Sequence, residues 1–348
     1  MNSFLIVISC ILLAFTILSL IKHDYWTFRI FDYPRLQKFA LSLACLCSVI
    51  FFYEGQGWMF WTLVSLLSLN VIYLFSLIVR FTMLGKKQVL KVDSVLEDQG
   101  LSIMVANVYQ YNTDFKGCME EIRKADPDIV LLLETDARWE KETMDLEKSY
   151  EFHIRVPLEN TYGMLLYSRL ELVDGEVKYL VEEGVPSIHV KVILKNGKAV
   201  QLYALHPSPP VPQENPRSTE RDKELLLVAD LSEASEIPVI VAGDLNDVAW
   251  SYTTELFLKM SGLLDPRRGR GFFNSFHAHY PFMRFPLDHI FISTDFKLKQ
   301  IRRLRNFGSD HFPIFTSLQY ERGASDVQEA MEADASDIEL AEEKKAKI

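Results

Sequence analysis

Asn107, Glu134, His206, Asp244, Asn246, Asp288, Asp310 and His311 are the residues of this chain whose types and positions could do chemistry together. The first of them stand just beyond short apolar runs: 101–106 leads to Asn107, 128–133 to Glu134, 200–205 to His206, and 239–243 to Asp244, with Asn246 two positions on. Two further turns supply Asp288 and the pair Asp310 and His311. Carboxylates are hard oxygen ligands suited to Mg²⁺ or Mn²⁺, ions that keep several waters and bind through one or two carboxylates plus a substrate phosphate. Asparagine adds a neutral carbonyl or amide without further negative charge. Histidine can donate to a phosphoryl oxygen or, oriented by an aspartate, accept a proton from water. A cation held among them would neutralise phosphate charge and steady the leaving oxygen. The set points to metal-assisted displacement at phosphorus.

Such residues act together only if the runs that carry them lie side by side, so that their ends meet at one rim of a rigid sheet. Apolar or β-branched runs of strand length occur at 101–108, 128–133, 164–167, 188–194, 199–205, 238–242, 289–292 and 312–318. Helical spacing marks 115–125 and 217–232, the second opening on polar capping candidates. On that second helix Arg217 and Arg221 stand four apart on one face, where they reach a substrate anion or form an exposed salt-bridged face. Short strands alternating with helices give an α/β fold.

Taken singly the motifs are weak: Asn107 reads as a turn residue, Gly243 and Asp244 as a loop, His206 as a surface residue before a proline-rich stretch, and Asp310 with His311 as a strand cap. Together, SIMVANVY (102–109), PDIVLLLE (127–134), YALHP (203–207), VAGDLN (241–246), LDHIF (287–291) and GSDHFP (308–313) follow one another in an order that resembles the signature of the endonuclease/exonuclease/phosphatase superfamily. That superfamily includes DNase I, abasic-site endonucleases, sphingomyelinases and inositol-polyphosphate phosphatases. The resemblance implies a DNase I-like four-layer α/β/β/α sandwich. It implies that Glu134 binds a divalent metal with Asn107, and that Asp310 completes the metal or water site. Asp244 would bind or orient the attacking water, and Asn246 would contact the scissile phosphate. His206 would stabilise the pentacovalent phosphate or protonate the leaving oxygen, and His311, held by Asp288, would be base or phosphate donor. The chain departs from the pattern at Pro286 and Leu287, where many members carry a basic residue before the aspartate; here Arg284 lies further back. GFFNSFH (271–277) stands where the family has an aromatic substrate-side loop, so Phe276 or His277 is expected to border the pocket. His153, His189, His277 and His279 have no family counterpart and read as surface or satisfied residues.

The chain before residue 85 is of another character. Apolar runs cover 4–21, 39–53 and 58–79, and crossing a hydrocarbon core as helix takes roughly 20 residues. The first and third runs approach or reach that length, and the second does so only with its flank, from about residue 36. A region 1–84 with three membrane spans (near 4–21, 36–53 and 58–79), a polar linker at 85–98, a catalytic domain at 99–320 and an acidic tail at 321–348, solvated or a single exposed helix, is the organisation expected. No basic start or small-residue cleavage pattern makes the first run a signal peptide. Asn70, polar within the third span, is expected to join helices or face a partner. Lys22, Arg29, Arg35 and Lys38 between the first two spans, and Arg80, Lys86, Lys87 and Lys91 after the third, put the domain on the cytoplasmic side of a bacterial-type plasma membrane by the positive-inside rule. The stretch 25–35, aromatic and basic, could instead lie flat in the interface.

Roughly half of the formal charge of −10 comes from the last thirty residues, and the mildly acidic remainder has no basic surplus for gripping duplex DNA by its phosphates. Cys10, Cys45 and Cys47 sit in apolar runs and Cys118 is alone, so cysteine offers neither a disulfide framework nor a metal site. The anchor and the acidic balance favour a lipid-linked phosphate or a small phosphorylated molecule over duplex DNA as substrate, with nucleic acid as the alternative. The competing functions are a membrane-associated nuclease and a non-catalytic membrane scaffold that uses the same fold to bind a ligand.

Overall fold

The structure is a computed structural model that describes residues 1–347. Its N-terminal region comprises α1 (Asn2–Leu18), the short α2 (Trp26–Arg29), α3 (Arg35–Phe52) and α4 (Trp58–Ile78). There follow β1 (Gly100–Asn107), α5 (Phe115–Ala125), β2 (Ile129–Leu133), α6 (Ala137–Thr143), β3 (Phe152–Val156), β4 (Met164–Ser168) and β5 (Glu171–Lys178). Next come β6 (Ser187–Ile193), β7 (Ala199–Leu205), α7 (Thr219–Glu233), β8 (Val239–Asp244) and α8 (Tyr252–Ser261). The chain closes with β9 (Asp288–Ile292), β10 (Phe296–Arg303), β11 (Ile314–Tyr320) and α9 (Ala335–Ala346).

The strands form two sheets, one ordered β10-β11-β1-β2-β4-β3 and the other β5-β6-β7-β8-β9. Strand alternation sends every second side chain inward. Ile103, Val105, Leu131 and Leu166 of the first sheet meet Val190, Leu202, Ile240 and Ile290 of the second in one buried core. The opposite faces take helices: Met104, Val130 and Leu132 pack on Cys118 and Ile122 of α5 and on Trp139 of α6, and Tyr203, Val241 and Phe291 pack on Leu225, Val228 and Phe257 of α7 and α8. The result is the α/β/β/α sandwich. β1 and β2 are parallel, as are β7 and β8, so the carboxyl ends of these four strands share one rim.

β3, β5 and β10 had no counterpart among the expected strands. All three are sheet edges, half exposed and carrying charged residues, so no apolar run announces them. The linker and the tail are likewise more structured than expected. Val89 is buried in the inter-sheet core, and the main chain at Leu90 and Val92 bonds to Leu298 of edge strand β10. The acidic tail folds back as α9: Ala341 is buried beside Leu226 and Leu256, and Lys344 reaches Asp222 at 2.6 Å.

Among the N-terminal helices, α3 and the 24-residue stretch Trp58–Phe81 are long and apolar enough to cross a membrane. The 17-residue α1 is shorter, so two such helices stand where three were expected. α1 stops at Leu18, with Ser19 Oγ bonded to Thr16 O at 2.7 Å and the polar Lys22, His23 and Asp24 beyond it. α3 gains length instead by taking Arg35 and Lys38 into its first turns. α1, α3 and α4 pack together: Asn70 Nδ2 donates to Ser42 Oγ across α4 and α3 at 2.9 Å, and Asn2 at the start of α1 pairs with the main chain of Glu54 between the other two. The opposite ends of all three therefore point toward the sandwich.

Candidate active site

Asn107 ends β1, Glu134 directly follows β2, His206 directly follows β7 and Asp244 ends β8, all on the shared rim. Asp288 opens the antiparallel β9 opposite Asp244, and Asp310 and His311 precede β11. Glu134 and Asn246 turn the chain away from the strand ends with φ of 58° and 50°, left-handed conformations that residues other than glycine adopt at a cost. Gly243 has a firmer reason to be glycine: a Cβ there would lie 1.8 Å from the carbonyl oxygen of Leu205. Gly243→Ala must push β7 and β8 apart at the point where they deliver His206 and Asp244, and is expected to abolish folded yield or lower the melting temperature by several degrees, read by thermal denaturation of the purified protein.

The two halves of the sandwich are joined by side chains at this rim. Asn107 Nδ2 donates to Glu134 Oε1 at 2.7 Å and to Asp244 Oδ2 at 3.1 Å. His311 Nδ1 lies 2.7 Å from Asp288 Oδ2, while its Nε2 is 3.6 Å from Asp244 Oδ2. His206 Nε2 is 3.9 Å from the same Asp244 oxygen. Ser309 Oγ donates to Asn107 O at 2.7 Å and accepts the His311 N–H. Ser275 Oγ accepts the N–H groups of Leu287 and Asp288. Asn246 Nδ2 donates to Pro207 O at 2.9 Å, and the Phe276 ring centroid is 5.0 Å from that of His311.

Burial and neighbours set the charges. Burial would depress the His311 imidazole, but Asp288 and Asp244 outweigh it and hold it up to about 10. His206 is pushed down to about 4 by burial, against the pull of Asp244, so one histidine is charged and the other neutral near pH 7. Asp244 is held below its ordinary value despite burial, by His311, His206, the Asn246 N–H and the Asn107 amide. Glu134 is pushed up to about 7 by burial, with Asp310 and Asp244 adding repulsion against the Asn107 amide and His311. Ligand atoms of Asp244, Asp288 and His311 lie within 4.8 Å of one another, a grouping that could hold a metal ion.

A pH prediction follows. His189, His206 and His289 are pushed down by burial to about 4, about 4 and about 3, whereas an unfolded histidine titrates near 6.5. Below that pH the unfolded chain binds more protons, so the stability present above pH 6.5 is lost progressively as pH falls toward 4. His311 has the opposite sign: its contribution is complete below 6.5 and is lost as pH rises through about 10. Glu134 and Glu224, pushed up by burial to about 7 and about 8, act in the opposite sense and gain stability as pH falls. The three histidines outnumber them, so melting temperature should fall between pH 6.5 and 4, and a rise there would contradict neutral burial of the histidines.

A cavity of about 390 Å³ opens over these groups, lined by Glu134, Asp244, Asn246, Phe276, Leu287, Asp310 and His311, by 209–212, and by Trp26, Arg29, Ile30 and Tyr33. A larger cavity of about 650 Å³ between residues 79–90 and 327–330 lies away from this chemistry. Among the candidates, Asn107, Glu134, His206, Asp244, Asn246, Asp288, Asp310, His311 and Phe276 are thus brought together. Arg217 and Arg221 are not. Arg217 precedes α7 and pairs with Asp24 at 2.8 Å on an open surface. Arg221 is fully buried beneath the site, donating to Asn246 O and pairing with Asp222 and Asp247. The helix begins only at Thr219, so the four-residue spacing does not make a shared face. Arg284 lies over the Phe312 ring at 5.0 Å and is absent from the cavity lining.

The residues that sequence reasoning passed over are Asp247, Ser275, Ser309 and above all the N-terminal segment. Ser275 and Ser309 sit inside quoted segments and Asp247 directly follows one, so proximity was their signal. Trp26, Ile30 and Tyr33 had none, being read as membrane flank. Arg29, 2 % exposed, pairs with Asp32 and Asp247 and donates to Thr253. Tyr33 donates its hydroxyl to Asn246 O at 3.0 Å, and Trp250 Nε1 donates to Asp32 O at 2.9 Å.

The chain is similar in structure to D. rerio TDP2 complexed with a single-strand DNA product (19% identity, 64% of this chain and 100% of that one, TM-score 0.52). It is similar also to the catalytic domain of human Nocturnin with a bound sulfate anion (18% identity, 66% and 96%, TM-score 0.52), and to an endonuclease/exonuclease/phosphatase family protein of Bacteroides thetaiotaomicron (19% identity, 64% and 98%, TM-score 0.52). At these identities the likeness speaks for the fold. No curated protein matches the chain in sequence. The model of the Endonuclease/Exonuclease/phosphatase family matches residues 104–311, more than half the chain and the span from the middle of β1 to His311, and the chain belongs to that family.

Proposed function

We propose that the chain is a membrane-anchored phosphoesterase that uses Mg²⁺ or Mn²⁺ to hydrolyse a phosphomonoester or phosphodiester by in-line attack of water. The observation that carries this reading is the bridging of Glu134 and Asp244 by one amide, Asn107, beside the His311 and Asp288 pair. An acid raised to about 7 by burial next to two further carboxylates is a site that a cation would relieve, so the residues fit the ion. Glu134, Asn107 and Asp310 would hold it, and Asp288 would serve the histidine instead. A His311 that is charged through Asp288 has no lone pair for a metal.

The bound ion supplies charge neutralisation at the phosphate and at the leaving oxygen. Asp244, kept ionised between two imidazoles, orients the attacking water and receives its proton. The water oxygen forms the new bond to phosphorus, the ester P–O bond breaks, and the departing oxygen takes up one proton. Charged His311 and neutral His206 each donate to phosphoryl oxygens, where negative charge grows in the transition state. Asn246, pinned through Pro207 and carried on a backbone held by Tyr33 and Arg221, contacts the phosphate.

The two helices long and apolar enough to cross a membrane support the anchor, and Lys22, Lys86 and Lys87, exposed near their sandwich-side ends, support a cytoplasmic domain by the positive-inside rule. Full-length protein in detergent micelles with Mg²⁺ or Mn²⁺ should release product from a panel of phosphomonoesters, phosphodiesters and single-stranded DNA, and a chelator should stop it. Turnover undiminished by chelation removes the metal assignment. Cleavage confined to DNA, with a steep salt dependence, favours a nuclease, and metal binding without turnover of any ester favours a scaffold.

A further inference from the structure

One wall of the cavity belongs to the segment between the first two long helices. Trp26, Ile30 and Tyr33 face the Glu134, Asp244 and His311 end across the opening, and 209–212 and Leu287 continue the wall. This surface is apolar and has few polar groups to spare. Three of the residues at 209–212 are prolines, which carry no N–H, and the N–H of Val211 is bonded to Pro209 O. The Tyr33 hydroxyl is used on Asn246, and Arg29 Nη1 and Nη2 on Asp32, Asp247 and Thr253. Arg29 Nε is buried without a partner, which leaves the Trp26 indole N–H as the side-chain donor of this wall. A sugar, base or inositol ring would find little here to satisfy its hydroxyls, whereas a hydrocarbon chain needs nothing more.

Tyr33 on the cavity wall stands two residues before α3. Gln37, in the first turn of that helix, donates to Phe282 O at 2.8 Å, and Tyr33 meets Phe285 edge to face at 5.5 Å. The loop so held presents Phe282 and Met283 to the outside, 86 % and 53 % exposed, and Ile30 on the cavity wall is 51 % exposed. Large apolar side chains bared at the end of a membrane-crossing helix mark the depth at which a bilayer surface meets the domain.

Resting on the phosphoesterase reading above, we infer that the substrate is an amphiphilic phosphoester drawn from the adjacent leaflet. Its phosphate would sit against Glu134, Asp244 and His311, and its apolar part against Trp26, Ile30 and Tyr33, running out past Phe282 into the bilayer. Ile30 and Phe282 are then specificity-determining residues for the lipid portion.

The test uses the full chain in phosphatidylcholine vesicles with Mg²⁺ or Mn²⁺. Matched probes are phosphatidic acid against glycerol 3-phosphate, phosphatidylglycerol against glycerophosphoglycerol, and chromogenic nitrophenyl mono- and diesters as soluble references. The lipid member of one pair should turn over at least tenfold faster than its free headgroup, and Ile30→Asp should lower the ratio of lipid to chromogenic turnover at least tenfold. Independently of turnover, a photoactivatable phosphatidic acid or phosphatidylglycerol on the Glu134→Gln protein should label 26–33. Equal rates for lipid and headgroup, faster cleavage of a DNA oligonucleotide, or labelling confined to the outer faces of α3 and α4 would overturn the inference and leave the phosphoesterase reading standing. No turnover of any probe, chromogenic esters included, would remove both.

Discussion

In the proposed reaction, His311→Gln should lower kcat/KM for the phosphoester by on the order of 10³-fold, a loss in the range observed when a positioned donor to growing transition-state charge is removed. The ring stands between two buried carboxylates, bonded to Asp288 at 2.7 Å and 3.6 Å from Asp244, and both hold its proton on. Near pH 7 it therefore presents a cation at the place where phosphoryl charge grows. Glutamine keeps a neutral donor toward Asp288 but no charge, so the fold should survive better than with alanine, which would leave Asp288 and Asp244 facing each other unpaired. Steady-state kinetics alongside a melting curve separates the two effects. A tenfold loss or less, with the melting temperature unchanged, would show that His311 does not touch the reacting phosphate.

Arg29→Ala is the second large effect, and it acts on stability. The guanidinium is buried, 3.1 Å from Asp32 and 3.5 Å from Asp247, with its carbon 4.2 Å from the Tyr252 ring centroid. Its removal takes one of two guanidinium partners from each of two buried carboxylates, leaving Asp32 with Arg35 and Asp247 with Arg221. The loss should lie at the lower end of the about 3–5 kcal/mol for breaking a buried pair from one side, a fall in melting temperature of about 10 °C for a domain of this size. Adding Asp247→Asn to Arg29→Ala should recover part of the loss, because the double change removes one of the under-paired charges. The same reasoning bears on truncation. Cutting the chain before residue 99 removes Arg29, Tyr33 and the buried Phe81, which packs on Trp250 and Phe272, so the isolated sandwich should melt well below the full chain. A melting temperature within 2 °C for Arg29→Ala would mean that the N-terminal segment only rests on the domain.

The catalytic rim was readable because its parts are local. An apolar β-run followed by an acid, amide or imidazole carries its meaning within a few residues, and these runs fill the middle of both sheets. The edge strands β3, β5 and β10 were unreadable for the converse reason, whereas the edge strand β9, buried along its length, was legible. β5 has only exposed and half-buried positions, so only its neighbour β6 makes it a strand. The exposed face expected for Arg217 and Arg221 failed on a boundary: α7 starts two residues late, and Arg221 turns inward to Asp222 and Asp247.

By itself, the sequence determined the family, the order of the strands that bear the site, the site's chemical types and the apolar character of the first 84 residues, since each is written in short-range pattern. Only the tertiary structure decided that residues 26–33 form a wall of the cavity and that α9 closes over α7. Those contacts join positions more than a hundred residues apart, Arg29 with Asp247 and Lys344 with Asp222 at 2.6 Å. A buried charge reveals its partner only when the chain has folded around both.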